Sequence, residues 1–230
     1  MPVKKPFVFL DLDDTILDFT WAEQRALSTV FQDAGLEPTA ALLSRYHEIN
    51  IQQWELLEEG VLTREEVLVT RFERLFEERG LDLPAARIGE RYELLLAEGH
   101  QFIPSAEELL RKLQGKAHLY IASNGCAAVQ DARIKSAGLA PFFEGIFISE
   151  RIGADKPSRE YFRRCFDAIP DFDPAQAWMV GDSLTSDIRG GRDAGLHTCW
   201  FNPRRRAPRA DIVPDYEIHD LAELPALLGL

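Results

Sequence analysis

Five short runs of apolar residues, separated by longer stretches with helical patterning, constrain the fold of this chain more than any other feature. The runs are Phe7–Leu10, Leu119–Ala122, Ile146–Ile148, Trp178–Val180 and Thr198–Phe201. A short, continuous apolar run is typical of a parallel strand that is buried on both faces, and strands that alternate with helices form right-handed crossovers. We therefore predict an α/β fold with a doubly wound parallel sheet, in which ligands bind beyond the carboxyl ends of the strands.

The segment between the first two runs, residues 18–99, contains no convincing strand. It predicts helices from the capping-box spacing at Thr20 to Gly35, from Pro38 to Gly60, from the capping box at Thr63 to Gly80, and from Pro84 to Gly99. Ser105 and Glu108 have capping-box spacing as well and predict the helix that returns the chain to the sheet. The sequence thus predicts a core domain, residues 1–17 and 100–230, interrupted by an all-helical domain, residues 18–99.

The composition argues against several kinds of partner. The chain of 230 residues has 38 Asp and Glu against 26 Lys and Arg, and its formal charge of -12 is unsuited to broad contact with nucleic-acid phosphates. The run Phe7–Leu10 is too short for a signal peptide or a membrane span. The three cysteines are widely spaced and form no metal-binding or redox motif. We expect a cytoplasmic protein that binds neither a nucleic-acid polymer nor a membrane.

Two carboxylates, Asp11 and Asp13, come directly after the first apolar run. Residues two apart in an extended chain point to the same side, so both side chains can face one pocket. Aspartates at strand ends also act as turn residues and helix caps, and the pair alone does not decide between these roles. The choice between them depends on the residues at the ends of the later strands.

Three further polar groups lie after later strands. They are Ser123-Asn124-Gly125, Lys156-Pro157-Ser158, and Gly181-Asp182-Ser183 with Asp187. Each group has a plain structural reading as a turn, a helix start or a solvated charge. Together, however, they lie at one edge of the predicted sheet, where a hydroxyl, a lysine and carboxylates would meet. This arrangement indicates a catalytic site.

In order and spacing, these groups resemble the four motifs of the haloacid dehalogenase-like (HAD) hydrolase superfamily. The matching residues are Asp11-x-Asp13-x-Thr15, Ser123, Lys156-Pro157 and Gly181-Asp182-Ser183-x-x-x-Asp187. The helical segment resembles the small cap domain that these enzymes insert after the first motif. Within the superfamily, the chain resembles bacterial pyrimidine 5'-nucleotidases in Asp11–Leu17, Ile49–Gly60 and Thr198–Asn202.

The resemblance implies a Mg²⁺-dependent phosphomonoester hydrolase that acts through an aspartyl phosphate. Asp11 would be the nucleophile, and Asp13 would serve first as general acid and then as general base. Mg²⁺ would bind the side chains of Asp11 and Asp182 and the backbone carbonyl of Asp13, with Asp187 just outside its ligands. The phosphate oxygens would be held by the substrate-binding residues Ser123, Asn124, Gly125 and Lys156, and of these Ser123 and Lys156 would also be catalytic, because they stabilise the charge that shifts in the transition state.

The implied substrate is a small phosphorylated metabolite, and the closer resemblance implies a pyrimidine (deoxy)nucleoside monophosphate. A phosphatase for phosphoglycolate or a sugar phosphate and a sugar phosphomutase remain open, because they use the same core residues. A hydrolytic dehalogenase would need neither a metal nor Asp13, and a non-catalytic binding module would not need a full set of clustered carboxylates. The oligomeric state also remains open. The run Arg204–Arg206 is expected to be a solvated loop.

Overall fold

The computed structural model of the protein describes residues 5–230 and divides the chain into two compact units. One unit combines the N-terminal residues up to Phe19 with His100–Leu230, and the other unit is Thr20–Gly99. Across residues 5–230, no helix has both the length and the apolar character needed to cross a membrane.

The larger unit is built on one parallel sheet. Its strands are β1 (Phe7–Leu10), β2 (His118–Ser123), β3 (Gly145–Ile148), β4 (Ala177–Gly181), β5 (His197–Phe201) and β6 (Tyr216–Ile218). Their order in the sheet is β3-β2-β1-β4-β5-β6, and every neighbouring pair is parallel. The order reverses between β1 and β4, which is the pattern of a doubly wound sheet. The predicted α/β fold is confirmed.

The sixth strand has no counterpart among the predicted apolar runs. It is only three residues long, and of these Tyr216 and Glu217 are exposed while Ile218 is buried. It pairs with β5 at the edge of the sheet. A short edge strand with one buried side chain does not produce the apolar run by which buried central strands are recognised.

Residues 5–230 contain ten α-helices, of which the first four lie within residues 19–97 and the other six belong to the larger unit. The ten helices are α1 (Phe19–Asp33), α2 (Ala40–Glu58), α3 (Arg64–Arg79), α4 (Ala85–Ala97), α5 (Ala106–Leu113), α6 (Ala127–Ser136), α7 (Ser149–Ile152), α8 (Arg159–Asp167), α9 (Arg189–Asp193) and α10 (Leu224–Leu227). Successive side chains of β1 enter two different cores. Val8 packs in a core with Leu109 of α5, and Phe9 packs in another with Phe162 of α8. Both faces of the sheet are therefore covered, which holds the carboxyl end of β1 in a fixed place.

The smaller unit is helical, as predicted, although two of the predicted helix starts are wrong. The capping box of Thr63 and Glu66 is confirmed, since each side chain accepts a hydrogen bond from the other residue's amide. A cap at Thr20 is wrong, because α1 already includes this residue. Helix α2 is capped by the hydroxyl of Thr39, so that its start lies beyond the predicted Pro38. Only hydrogen-bond geometry distinguishes a capping threonine from one inside the first turn.

Ser105 lies immediately before α5, as predicted, but its predicted capping box is wrong. Its backbone has a φ of 66° and its side chain makes no capping hydrogen bond. An N-cap residue normally has an extended backbone, which Ser105 lacks, and sequence spacing alone does not show this difference.

Candidate active site

The predicted site residues lie where the strand order of the sheet reverses. Asp11 and Asp13 come after β1, and Asp182 comes after β4, the strand beside it. The amide of Asp11 donates to the carbonyl of Val180 at 2.9 Å, so the pairing of the two strands extends to the first carboxylate. The crevice at such a reversal is the usual ligand site of a doubly wound sheet.

Three carboxylates meet in this crevice. Oxygens of Asp11, Asp182 and Asp187 all lie within 4.8 Å of one another. Asp187 lies on a π-helical turn after β4, and its Oδ2 accepts a hydrogen bond from the amide of Ser183 at 3.0 Å. A Cβ at Gly181 would lie 2.1 Å from this oxygen. The end of β4 therefore has room for the Asp187 carboxylate only because residue 181 is glycine.

Lys156 supplies positive charge among these carboxylates. Its Nζ donates at 2.7 Å to Asp11 Oδ1, to Asp187 Oδ1 and to the carbonyl of Ala122 in β2. An ammonium group has three donors, so this arrangement uses all of them. The side chain is only 1% exposed, which excludes the alternative of a solvated lysine. Lys156 is a fixed countercharge that joins β1, β2 and the turn after β4.

The loop after β2 holds Lys156 in place. The side chain of Asn124 accepts a hydrogen bond from the amide of Lys156 and donates one to its carbonyl, both at 2.8 Å. Ser158 then caps α8, as predicted, by accepting from the amide of Tyr161. The Asn124 side chain thus fixes the main chain on which the lysine is carried.

Helix α6 binds the carboxylate of Asp13. Gln130 Nε2 donates to Asp13 Oδ2 at 2.6 Å, and Arg133 forms an ion pair with Asp13 Oδ1. Gln130 also donates to Ser123 Oγ at 2.8 Å, and a Cβ at Gly125 would lie 2.3 Å from Gln130 Nε2. Sequence reasoning missed both helix residues. The available signal was a pair of polar side chains, three apart, on the face that α6 buries.

An arginine from the loop after β5 reaches Asp182. Arg206 donates to Asp182 Oδ2 at 3.0 Å and also contacts the carbonyl of that residue, to which Trp200 Nε1 donates at 2.9 Å. Asn202 Oδ1 accepts from the amide of Arg206 at 2.8 Å and fixes the loop. The loop at Arg204–Arg206 is exposed, as expected, and Arg206 in addition forms an ion pair with Asp182.

The electrostatics of the crevice are set by burial. Burial raises the pKa of the Asp11 carboxyl from 3.8 to about 8; the ammonium of Lys156 opposes this shift, and the charge of Asp187 adds to it. Burial also raises the pKa of Asp182, and the nearby carboxylates of Asp14 and Asp11 raise it further. At Lys156, burial acts to lower the pKa, but the two carboxylates that it contacts outweigh burial and raise it. The single positive charge of Lys156 does not balance the negative charges that Asp11, Asp182 and Asp187 carry when they are ionised.

The donor set of the crevice fits Mg²⁺, which prefers hard oxygen ligands. Asp187 already accepts hydrogen bonds from Lys156 and Ser183, so the side chains of Asp11 and Asp182 are the better placed for direct coordination. A divalent cation among these oxygens would supply the missing positive charge and favour the ionised carboxylates.

This sheet, with an aspartate pair directly after β1, a lysine and further aspartates at the strand-order reversal, defines a hydrolase of the haloacid dehalogenase-like class. Residues 7–195 match the family model of the haloacid dehalogenase-like hydrolases. The chain therefore belongs to this family, and the resemblance carried by the four sequence motifs is confirmed.

Similar proteins include two pyrimidine 5'-nucleotidases. PynA of Streptococcus pneumoniae is 35% identical over 219 residues, which cover 95% of this chain and 92% of PynA. YjjG of Escherichia coli is 32% identical over 226 residues, which cover 98% of this chain and 99% of YjjG. The crystal structure of the HAD-hydrolase YfnB of Bacillus subtilis, bound to magnesium, matches with a TM-score of 0.94 and 42% identity over 99% of this chain and 100% of YfnB.

Proposed function

We propose that this protein is a cytoplasmic, Mg²⁺-dependent phosphatase that hydrolyses pyrimidine (deoxy)nucleoside monophosphates through an aspartyl phosphate on Asp11. The observation that carries the proposal is the contact of 2.7 Å between Asp11 Oδ1 and the buried Nζ of Lys156, beside Asp182, at the strand-order reversal. A buried carboxylate with its own countercharge, in a crevice that fits a divalent cation, is suited to nucleophilic attack on a phosphoryl group. Membership of the hydrolase family supports this chemistry.

In the first step, an oxygen of Asp11 attacks phosphorus in line with the leaving group. The new bond from Asp11 to phosphorus forms as the bond to the leaving oxygen breaks, and Asp13 gives a proton to that oxygen so that the nucleoside leaves as a neutral alcohol. The charge of Lys156, the hydroxyl of Ser123 and the backbone amides of Asn124 and Gly125 stabilise the phosphoryl oxygens.

In the second step, water hydrolyses the aspartyl phosphate. Asp13 is now deprotonated and takes a proton from the water as the water oxygen bonds to phosphorus and the bond to Asp11 breaks. The products are inorganic phosphate and the regenerated Asp11 and Asp13 carboxyl groups. Because one side chain gives and then takes a proton, Asp13 must be held beside Asp11 through both steps.

Mg²⁺ would be held by the side chains of Asp11 and Asp182 and by the backbone carbonyl of Asp13, with Asp187 outside the ligands. When bound, it neutralises charge on the phosphate and allows an anionic substrate to approach a group of carboxylates. The contact between Asp187 and Lys156 fixes the lysine so that its charge faces the nucleophile.

The pyrimidine nucleotide is supported by the two related nucleotidases, PynA and YjjG. The residues of the crevice recognise a phosphate, a metal and a leaving oxygen, and these parts are shared by all phosphomonoesters. The alternatives to be measured beside the nucleotides are therefore the hydrolysis of phosphoglycolate or a sugar phosphate, and the transfer of a phosphoryl group between two positions of a sugar.

Phosphate release from a panel of nucleoside monophosphates, phosphoglycolate and sugar phosphates, with and without Mg²⁺, tests the proposal. We expect Mg²⁺-dependent release, greatest on UMP, dUMP or dTMP, and a loss of at least about a thousandfold in Asp11→Asn. The exposed Asp193→Asn is the matched control. Strong release that is greatest on another phosphomonoester would replace the substrate and keep the mechanism, whereas release that survives in Asp11→Asn would overturn the mechanism.

A further inference from the structure

Two buried polar side chains of helix α6, those of Gln130 and Arg133, contact the site residues at the ends of β1 and β2. Gln130 is 2% exposed and Arg133 is 0% exposed. Gln130 donates through one nitrogen to both Asp13 Oδ2 and Ser123 Oγ, at 2.6 and 2.8 Å. Its own Oε1 accepts from Arg133 at 3.1 Å, and Arg133 also contacts the other oxygen of Asp13. The four side chains thus form one connected network at the ends of β1 and β2.

The amide of Gln130 has a single orientation in this network. Its Nε2 faces two oxygens and its Oε1 faces the guanidinium, so a flipped amide would oppose donor to donor and acceptor to acceptor. Gly125 is part of the same arrangement, because a Cβ there would lie 2.3 Å from Gln130 Nε2. The hydrogen bonds of the network therefore require a side-chain amide at position 130, and the space that this amide fills requires a glycine at position 125.

Structural stability alone does not account for a fully buried arginine at this position. Withdrawing a guanidinium from water is costly, and an apolar side chain of similar volume on α6 is often as stabilising as a buried ion pair. The partner of Arg133 is Asp13, whose side chain is 30% exposed and faces the crevice. The network thus serves to fix the position of one carboxylate at the site.

We propose that Gln130 and Arg133 are positioning residues that hold the Asp13 carboxylate in place for both proton transfers. Through its second hydrogen bond, Gln130 also fixes the position of this carboxylate relative to the phosphate-binding residue Ser123. This inference rests on the proposed function, because it assigns the support of the general acid and base. Because each of its oxygens accepts from a different donor, the Asp13 carboxylate cannot rotate about its Cβ–Cγ bond. A displacement of about 1 Å in such a group is enough to cost about a hundredfold in rate.

A kinetic signature distinguishes positioning from a general structural role. The value of kcat/KM reports the steps up to release of the leaving group, whereas kcat also includes hydrolysis of the aspartyl phosphate. A nucleoside alkoxide needs the proton of Asp13 to leave, but p-nitrophenolate does not. Misplacing Asp13 should therefore lower kcat/KM on a nucleotide. On p-nitrophenyl phosphate it should lower kcat and KM together and leave kcat/KM nearly unchanged.

The test compares Gln130→Met, Arg133→Met and Arg133→Lys with wild type and Asp13→Asn on UMP and p-nitrophenyl phosphate. We expect kcat/KM on UMP to fall about tenfold to a hundredfold in the two methionine variants and to recover in part in Arg133→Lys, which keeps a donor and a charge. Arg151→Met is the matched control, since Arg151 forms an exposed ion pair with Asp131 of α6, and it should behave as wild type.

The outcomes separate the positioning role from the proposed function. An equal fall of kcat/KM on both substrates, or no fall on UMP in either methionine variant, would overturn the positioning role while the wild-type enzyme remains active. If the wild type releases no phosphate from either compound, the proposed function fails and this assignment fails with it. If Arg133→Met does not fold, Gln130→Met and Arg133→Lys give the same comparison, because both retain a buried partner for Asp13.

Discussion

The carboxyl group of Asp11 makes the stability of the protein depend on pH. In the folded chain burial raises its pKa to about 8, against 3.8 for an ordinary carboxyl of this type. Between these values the folded state keeps a proton that the unfolded state has released. The contribution of Asp11 to stability is therefore complete below about pH 4 and is lost as the pH rises through about 8.

The first prediction is that Asp11→Asn flattens this dependence. With a chelator present, the Tm of the wild type should fall as the pH rises from about 5 to about 8, and the fall should be smaller in Asp11→Asn, which has no group to titrate at this position. Calorimetric scans across this range measure the difference. Asp193→Asn, an exposed substitution, should behave as the wild type does. Parallel curves for wild type and Asp11→Asn would show that Asp11 is not the group responsible.

Arg206 contacts an oxygen that a bound cation would also use. Its guanidinium is 3.0 Å from Asp182 Oδ2 and half exposed, so the pair is partly screened by water. We predict that Arg206→Met tightens Mg²⁺ binding by about twofold to fivefold, which corresponds to an ion pair worth up to about 1 kcal/mol. Titration calorimetry gives the Kd directly. Arg205→Met, which removes an exposed arginine one position away, is the control, and weaker binding in Arg206→Met would refute this direction.

At the scale of elements, the sequence predicts the features that depend on apolar runs and on local spacing. Buried central strands such as β1 and β4 have continuous apolar sequences, and the capping box at Thr63 is completed within four residues. The edge strand β6 depends on its pairing with β5, a strand distant in sequence, and no local pattern shows it. Elements held by long-range contacts are accordingly the ones that sequence reasoning misses.

The same distinction applies to the site. Asp11, Asp182 and Lys156 lie at strand ends or in the loops between elements, where topology alone predicts that they meet, and the structure brings them together. Gln130 and Arg133 instead lie within a helix, and their polarity on a buried face is visible in the sequence while their partners are not. Finding them requires the packing of α6 against the sheet, which only the three-dimensional structure provides.

The junction between β4 and the turn after it depends on the absence of a side chain at residue 181. We predict that Gly181→Ala lowers kcat/KM by about a hundredfold, because its Cβ would lie 2.1 Å from Asp187 Oδ2 and displace the carboxylate that binds Lys156. Steady-state kinetics on the best nucleotide measures the loss. Gly99→Ala is the matched control, since a Cβ there meets nothing closer than 3.5 Å. Wild-type kinetics in Gly181→Ala would mean that Asp187 has no role in holding the lysine.

At the scale of the whole molecule, each of the two units has its own interior. The smaller unit buries the rings of Tyr46, Phe72 and Tyr92, with centroids 4.8 to 5.7 Å apart. It also buries Arg71, whose guanidinium forms an ion pair with Glu93. The three carboxylates of the candidate metal site all belong to the larger unit. A ligand of that site therefore adds stability to one interior and not to the other.

We predict that Mg²⁺ separates the unfolding of the two units in scanning calorimetry. At about a hundred times its Kd, the ion should stabilise the larger unit by about 2.7 kcal/mol and raise the Tm of that transition by about 5 °C or more. The transition of the smaller unit should stay in place. Asp182→Asn should abolish the shift, because it removes a ligand of the ion, and Asn occupies nearly the same volume.

Arg71→Met should act on the other transition alone. It leaves Glu93 without its buried partner, at a cost of about 3–5 kcal/mol, and should lower the Tm of the smaller unit while the shift of the larger unit with Mg²⁺ persists. The exposed Arg45→Met, which breaks a surface ion pair with Glu78 in the same unit, should change little. A single transition that moves as a whole with Mg²⁺ and with Arg71→Met would show that the two interiors unfold as one cooperative structure.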